Sequence, residues 1–135
     1  MRASINTVAK TLRRIKGGDG HRVVGRHIYA NLYMCREDEL LKNGKKLADL
    51  VSEAAQLGNM ILLDLKVWQI GEGVSLVAIV LESHITLHTW PEYRFATLDV
   101  YSCGDHTDPW RAFHHIVSAL KPEKVEYGEA DRSLE

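Results

Sequence analysis

The chain is short of several things that would otherwise direct its reading. Two cysteines, Cys35 and Cys103, in 135 residues are too few for a disulfide framework and point to a reducing compartment, the cytoplasm. No apolar run approaches the ~20 residues that a membrane-spanning helix needs, so no membrane partner is expected. Residues 1–20 carry Arg2, Lys10, Arg13, Arg14 and Lys16 but lack the apolar centre of a signal peptide. They read as a basic, flexible extension. Charge of one sign is missing too: the formal net charge is −1, and the chain beyond residue 20 has no basic surplus to recruit nucleic acid.

What is present fits one domain, residues 21–135. Hydrophobic residues make up 45% of the chain. A domain of this size hides only about two-thirds of its unfolded surface, so a homo-oligomer, at least a dimer, is expected to cover more. Gly17-Gly18-Asp19-Gly20 separates extension from domain.

The pattern along the domain alternates between strand and helix periods. Val23–Tyr33 places Val24, Ile28, Ala30 and Leu32 on one face and His27, Tyr29, Asn31 and Tyr33 on the other. Asp38 offers an N-cap for a helix over Asp38–Leu57, with Leu40, Leu47, Val51, Ala54 and Leu57 at helical spacing and Gly58-Asn59 as its stop. Met60–Ile70 and Val74–Leu81 read as a hairpin turning at Gly71–Gly73. A strand follows over His84–Thr89, Pro91 interrupts it, and Phe95–Tyr101 resumes. Asp108 caps a second helix with Pro109 at its first position and Phe113, Ile116, Val117 and Leu120 as its apolar stripe. A terminal strand near Lys124–Tyr127 completes an α/β (α+β) two-layer sandwich: a mainly antiparallel sheet with both helices on one face.

One stretch is chemically unusual. Glu82-Ser83-His84, His88-Thr89-Trp90-Pro91-Glu92 and Cys103 put a carboxylate-flanked serine, two histidines and a lone thiol within about twenty residues. On a strand, His84, Thr86 and His88 share one surface. A polar face in an apolar neighbourhood needs hydrogen-bond partners or a chemical task. Seven histidines also raise a metal site. His114 and His115, however, are adjacent on a helix and point about 100° apart, and His84 and His88 lack close-spaced further ligands; no metal is expected.

The run Val80–Gly104 closely resembles the prokaryotic S-adenosylmethionine decarboxylase family of pyruvoyl enzymes. Gly25-Arg26-His27, Gly73-Val74-Ser75 and Asp108-Pro109-Trp110 extend the resemblance over Val23 to about Arg132. It implies a proenzyme that cleaves itself between Glu82 and Ser83 into chains 1–82 and 83–135, leaving a covalent pyruvoyl group derived from Ser83. The ketone then forms a Schiff base with the substrate amine and acts as an electron sink that no ordinary side chain provides. By the same resemblance Ser75 assists the formation and breakdown of the ester, His88 is the proton acceptor in processing, Cys103 is the proton donor in catalysis, and Glu92 binds substrate. The residue types suit these tasks. An ordinary imidazole, pKa about 6.5, exchanges protons at neutral pH, and an ordinary thiol, pKa about 8.5, is mostly protonated there. Ser75 and Ser83 also share parity if Val74–Ser83 runs as one strand without a bulge.

The substrate is an amino acid, and the details favour arginine. Typical S-adenosylmethionine decarboxylases carry Phe-His-x-Phe before Gly-Val-Ser; here the segment is Lys66-Val67-Trp68-Gln69-Ile70. Counting back from Gly73, the adenine-stacking position falls on Gln69, and Trp68 takes it only if the hairpin shifts by a residue. Val80–His84, Gly104–Pro109 and Ala130–Ser133 look more like the archaeal arginine decarboxylases of the same family. The expectation is therefore arginine to agmatine and CO2, with S-adenosylmethionine as the alternative. Neither Asp64 nor Glu92 is marked out as the acceptor for a guanidinium. A non-catalytic nucleic-acid-binding module is the remote third reading; it needs stacking aromatics interleaved with arginines on the sheet, which the strands do not show. By resemblance, two processed protomers are expected to pair their sheets face to face, with each site completed at or near the interface.

Overall fold

The computed structural model of the chain describes residues 23–134, so the expected basic extension over residues 1–20 lies outside the described residues. Six strands, β1 (Gly25–Tyr33), β2 (Leu62–Ile70), β3 (Gly73–Val80), β4 (Ser83–Trp90), β5 (Phe95–Cys103) and β6 (Lys124–Asp131), form one antiparallel sheet in the order β2-β3-β4-β5-β1-β6. Two helices, α1 (Gly44–Leu57) between β1 and β2 and α2 (Pro109–Leu120) between β5 and β6, lie on one face. α1 packs on β2 and β3, α2 on β1 and β5, and the helices pack on each other. The expected two-layer α+β sandwich is what the chain forms.

Strand alternation explains the layers. Ala78, Ile85, Val100 and Ile28 stand in register across the sheet, as do Leu76, Leu87, Leu98 and Ala30. All eight are buried beneath the helices. Leu47, Leu50, Val51 and Ala54 of α1 and Ala112, Phe113, Ile116 and Leu120 of α2 meet them from above. Truncating a residue at the centre, such as Leu87 or Leu98, costs about 2–5 kcal/mol.

The helix starts differ in how well the sequence marked them. Asp108 caps α2 as expected: its carboxylate accepts from the Arg111 N–H at 3.1 Å, with Pro109 at the first position. Asp38 does not cap α1. Asn43 does, accepting from the Lys46 N–H at 3.0 Å, and a single 3-10 turn over Leu40–Lys42 precedes it. The reason is tertiary. Leu41 is drawn into the core and its carbonyl accepts from Thr89 Oγ1 at 2.7 Å, which holds the chain out of α-helix for one more turn. β1 likewise begins at Gly25, leaving Val24 exposed.

Candidate active site

The face of the sheet away from the helices carries most of the candidate residues. Three rows cross it. Ile79, His84, Tyr101 and His27 stand in register, then Val77, Thr86, Asp99 and Tyr29, then Trp68, Ser75, His88, Thr97 and Asn31. This face is polar and apolar together: Trp68 is 52% exposed and Tyr29, Ile70, Ile79 and Trp90 are also exposed.

In the third row, Ser75 Oγ and His88 Nδ1 share a hydrogen bond of 3.0 Å. Cross-strand pairing on β3 and β4 sets that contact directly, since the two residues are register partners. A cleft of about 260 Å³ opens beside them, lined by Ile70, Gly73, Ser75, His88, Trp90 and Glu92. Glu92 comes to it on the 3-10 turn Pro91–Tyr93, where Pro91 ends β4. Gly73 belongs at this rim because a Cβ there would lie 2.6 Å from the Thr89 carbonyl oxygen.

Ser83 is not in that row. β3 and β4 are joined by a two-residue turn, Leu81-Glu82, and Ser83 begins β4 opposite Val80 and Ser102, both buried on the helix side. The expectation that Ser75 and Ser83 share parity on one continuous strand is therefore wrong: the turn resets the alternation. His88 lies five residues up β4 from Ser83, roughly 16 Å at the rise of an extended chain. The structure brings Ser75, His88 and Glu92 together and leaves Ser83 at the other end of the hairpin.

The Ser83 end has its own machinery. The carbonyl oxygen of Glu82, on the bond expected to break, accepts from the Cys103 N–H at 2.8 Å. Leu81 N–H donates to the Ile61 carbonyl at 2.8 Å. The Glu82 side chain is 0% exposed; its Oε1 accepts from Ile61 N–H at 3.0 Å and its Oε2 from His106 Nε2 at 3.0 Å. Beneath Ser83, Ser102 Oγ is hydrogen-bonded to Thr107 Oγ1. Sequence reasoning missed His106, Ser102 and Thr107. A carboxylate in an apolar turn should have prompted a search for its partner, and His106 stands three residues after Cys103.

The two cysteines diverge. Cys35 is fully buried, its thiol facing the Leu32 carbonyl at 3.8 Å, and burial pushes its pKa up to about 11, which makes it inert. Cys103 ends β5, buried, beside the Tyr101 phenol, whose pKa is raised by burial and then by the neighbouring thiol. Around Tyr101 stand the rings of His84 at 5.5 Å and His27 at 5.6 Å and the guanidinium of Arg132 at 5.1 Å. His84 titrates below the ordinary imidazole value because of burial and then the nearby His27. His27 is paired with Asp99 at 2.9 Å. Among the described residues no three His, Cys, Asp or Glu side chains converge as a metal set, and no helix is long and apolar enough to cross a membrane.

Gln69 and Trp68 lie on opposite faces of β2. Gln69 turns its amide to the Gly71 and Gly73 carbonyls at 3.2 and 3.0 Å, and Trp68, not Gln69, stands on the open face opposite Ser75.

Residues 26–133 match the family described as S-adenosylmethionine decarboxylase. The chain is 63% identical over 114 residues to the S-adenosylmethionine decarboxylase proenzyme of Sulfurisphaera tokodaii, covering 84% of this chain and 93% of that one. It is 62% identical over 114 residues to the proenzyme of the same name from Aeropyrum pernix, covering 84% and 88%. The crystal structure of the adenosylmethionine decarboxylase from Aquifex aeolicus superposes with a TM-score of 0.77 at 28% identity, covering 85% of this chain and 95% of that one. The sandwich and these matches define a pyruvoyl-dependent decarboxylase made as a proenzyme, its cofactor formed from a serine by self-cleavage. More particularly, the chain belongs to the S-adenosylmethionine decarboxylase family. None of these matches supports the arginine branch that the sequence details had favoured.

Proposed function

We propose that the protein decarboxylates S-adenosylmethionine, at a site assembled from two copies of the chain, in the cytoplasm. The observation that carries the substrate is Trp68. It is exposed on the open face, opposite Ser75, which lines the cleft together with His88 and Glu92. An indole there is a stacking platform for adenine, worth about 1–3 kcal/mol. An arginine guanidinium is best held by planar, bidentate carboxylate acceptors, and among the described residues lining the cleft Glu92 is the one carboxylate. The names of the relatives from Sulfurisphaera tokodaii and Aeropyrum pernix point the same way.

Self-cleavage occurs between Glu82 and Ser83. Ser83 Oγ attacks the Glu82 carbonyl carbon, whose oxygen is already polarised by the Cys103 N–H. The C–N bond breaks to leave an ester. Removal of the Ser83 α-proton then breaks the Cβ–Oγ bond and releases the Glu82 carboxylate. Water takes the nitrogen off the remaining dehydroalanine as ammonia, leaving the ketone. When in place, that ketone supplies the electron sink for loss of CO2. Cys103 returns a proton to the α-carbon. As a new N-terminus, residue 83 is no longer bound by the parity of β4.

His88 and Ser75 are roughly 16 Å from Ser83 within one chain, too far for proton transfer. Pairing two sheets by their open faces, antiparallel to each other, brings the Ser75–His88 end of one hairpin over the Ser83 end of the other. It also covers Trp68, Ile70, Ile79 and Trp90, apolar groups that are otherwise exposed. The same pairing closes the cleft, which by itself is below the 300–1,000 Å³ usual for ligand sites.

The test is intact-mass analysis of the purified protein followed by CO2 release from each substrate. Cleavage into fragments ending at Glu82 and starting with pyruvoyl, and a clear preference for S-adenosylmethionine, are expected. An uncleaved chain that is active overturns the mechanism; preference for arginine overturns the substrate.

A further inference from the structure

We infer that His106 is a positioning residue for self-cleavage, acting through the buried side chain of Glu82. This rests on cleavage at Glu82–Ser83. The turn that carries the bond has no local reason to form. A two-residue hairpin loop ordinarily uses Gly, Asn or Asp in a primed turn with positive φ, whereas here it is Leu81-Glu82, and neither residue has positive φ. Tertiary hydrogen bonds hold it instead. On the main chain, Leu81 N–H reaches the Ile61 carbonyl and Cys103 N–H reaches the Glu82 carbonyl. On the side chain, Glu82 is fixed between Ile61 N–H and His106 Nε2, both at 3.0 Å.

Of the two side-chain donors, Ile61 N–H is part of the backbone, and His106 is the one the sequence can change. Its loop is itself held at several points. The His106 carbonyl accepts from Asn59 Nδ2 at 2.8 Å, Thr107 Oγ1 donates to the Gly104 carbonyl at 3.1 Å, and Asp108 N–H reaches the Gly58 carbonyl at 2.8 Å. A fully buried carboxylate left with a single donor is costly. Without His106, Glu82 moves toward water, and the carbonyl on the same residue moves with it, off the Cys103 N–H that polarises it. The cost falls on the attack of Ser83 and on release of the new carboxylate at Glu82, which forms beside the existing one. Turnover by the cleaved enzyme uses the ketone and Cys103 and does not pass through Glu82.

The side chain of His106 is 40% exposed, so the space left by a smaller residue there opens to solvent and admits a small molecule. The experiment follows the cleavage rate of the freshly made full chain by mass for wild type and His106→Ala, with and without imidazole, and compares His106→Gln, which keeps a donor, with His106→Met, which does not. Thermal unfolding is read for each. The expected result is cleavage slowed tenfold or more in Ala and Met, partly restored in Gln and by imidazole added to Ala, with turnover per cleaved site near wild type. Wild-type cleavage rates in Ala and Met overturn the inference. So does slowing that neither Gln nor imidazole relieves, which marks a purely structural role. Should Ala unfold, the Gln and Met rates, measured well below both melting temperatures, decide, and equal rates overturn it. A wild-type chain that never cleaves at Glu82–Ser83 instead removes the underlying reading of the site.

Discussion

The two ends of the β3–β4 hairpin lie on the same two strands but differ in almost everything else. At the turn, Glu82 is fully buried, its carbonyl and carboxylate accept from Cys103, Ile61 and His106, and Leu81 N–H donates to the Ile61 carbonyl. At the other end, Ser75 and His88 face outward over an open cleft rimmed by exposed indole and aliphatic groups. One end immobilises a peptide bond; the other holds His88, the proposed proton acceptor, against Ser75 and beside an open cleft. On the proposed function, these ends are two half-sites. A second copy that unites them gives both the interface and the chemistry a single explanation.

Perturbing each end separately sharpens that contrast. The largest effect belongs to the turn end. Cys103→Ala keeps the backbone N–H that polarises Glu82, so cleavage proceeds, while loss of the proton donor lowers turnover about 100-fold or more. Gel electrophoresis of the fragments together with steady-state kinetics checks both halves of this; full turnover would remove Cys103 from the mechanism. A smaller effect is expected at the cleft end. Trp68→Ala forfeits the stacking platform and raises KM for S-adenosylmethionine about tenfold, with cleavage unaffected, and an unchanged KM would separate Trp68 from the substrate. The smallest lies between the two, at His84. Its folded pKa is lowered by burial and by His27, so as pH falls the unfolded chain takes up the proton first. Stability is therefore retained above about 6.5 and declines as pH falls through the folded value. Chemical denaturation between pH 8 and 5 should show a shallower decline for His84→Asn than for wild type.

Most of the fold could be read from the sequence because its signals are local. The alternation of β1, the Asp108-Pro109 start of α2 and the Gly71–Gly73 reversal each depend on neighbours in the chain. What escaped was set at a distance. Asp38 looked like a cap, but burial of Leu41 and its bond to Thr89 moved the helix start to Asn43. The Leu81-Glu82 turn has no turn residue in it, so a continuous strand was the natural reading, and the parity of Ser83 came out reversed. His106 was invisible for the same reason: its partner is 24 residues away. The resemblance found Ser75, Ser83, His88, Glu92 and Cys103 as types in a pattern. It did not reveal that His88 and Ser83 lie at opposite ends of one hairpin, nor that Trp68 stands on the open face opposite Ser75 while Gln69 turns to the Gly71 and Gly73 carbonyls.

Co-expression of two defective chains tests the shared site most directly. Ser83→Ala has no serine to convert, and His88→Ala lacks the proton acceptor. Expressed alone, each should remain a single uncleaved polypeptide. Expressed together with distinguishable tags, they form mixed dimers in which the intact Ser83 of one chain meets the intact His88 of the other. The His88→Ala chain, and only that chain, should then be cut between Glu82 and Ser83, and decarboxylase activity should appear in the mixed species. Mixed dimers isolated by both tags in which neither chain is cut would contradict the account, as would efficient cleavage of His88→Ala expressed alone.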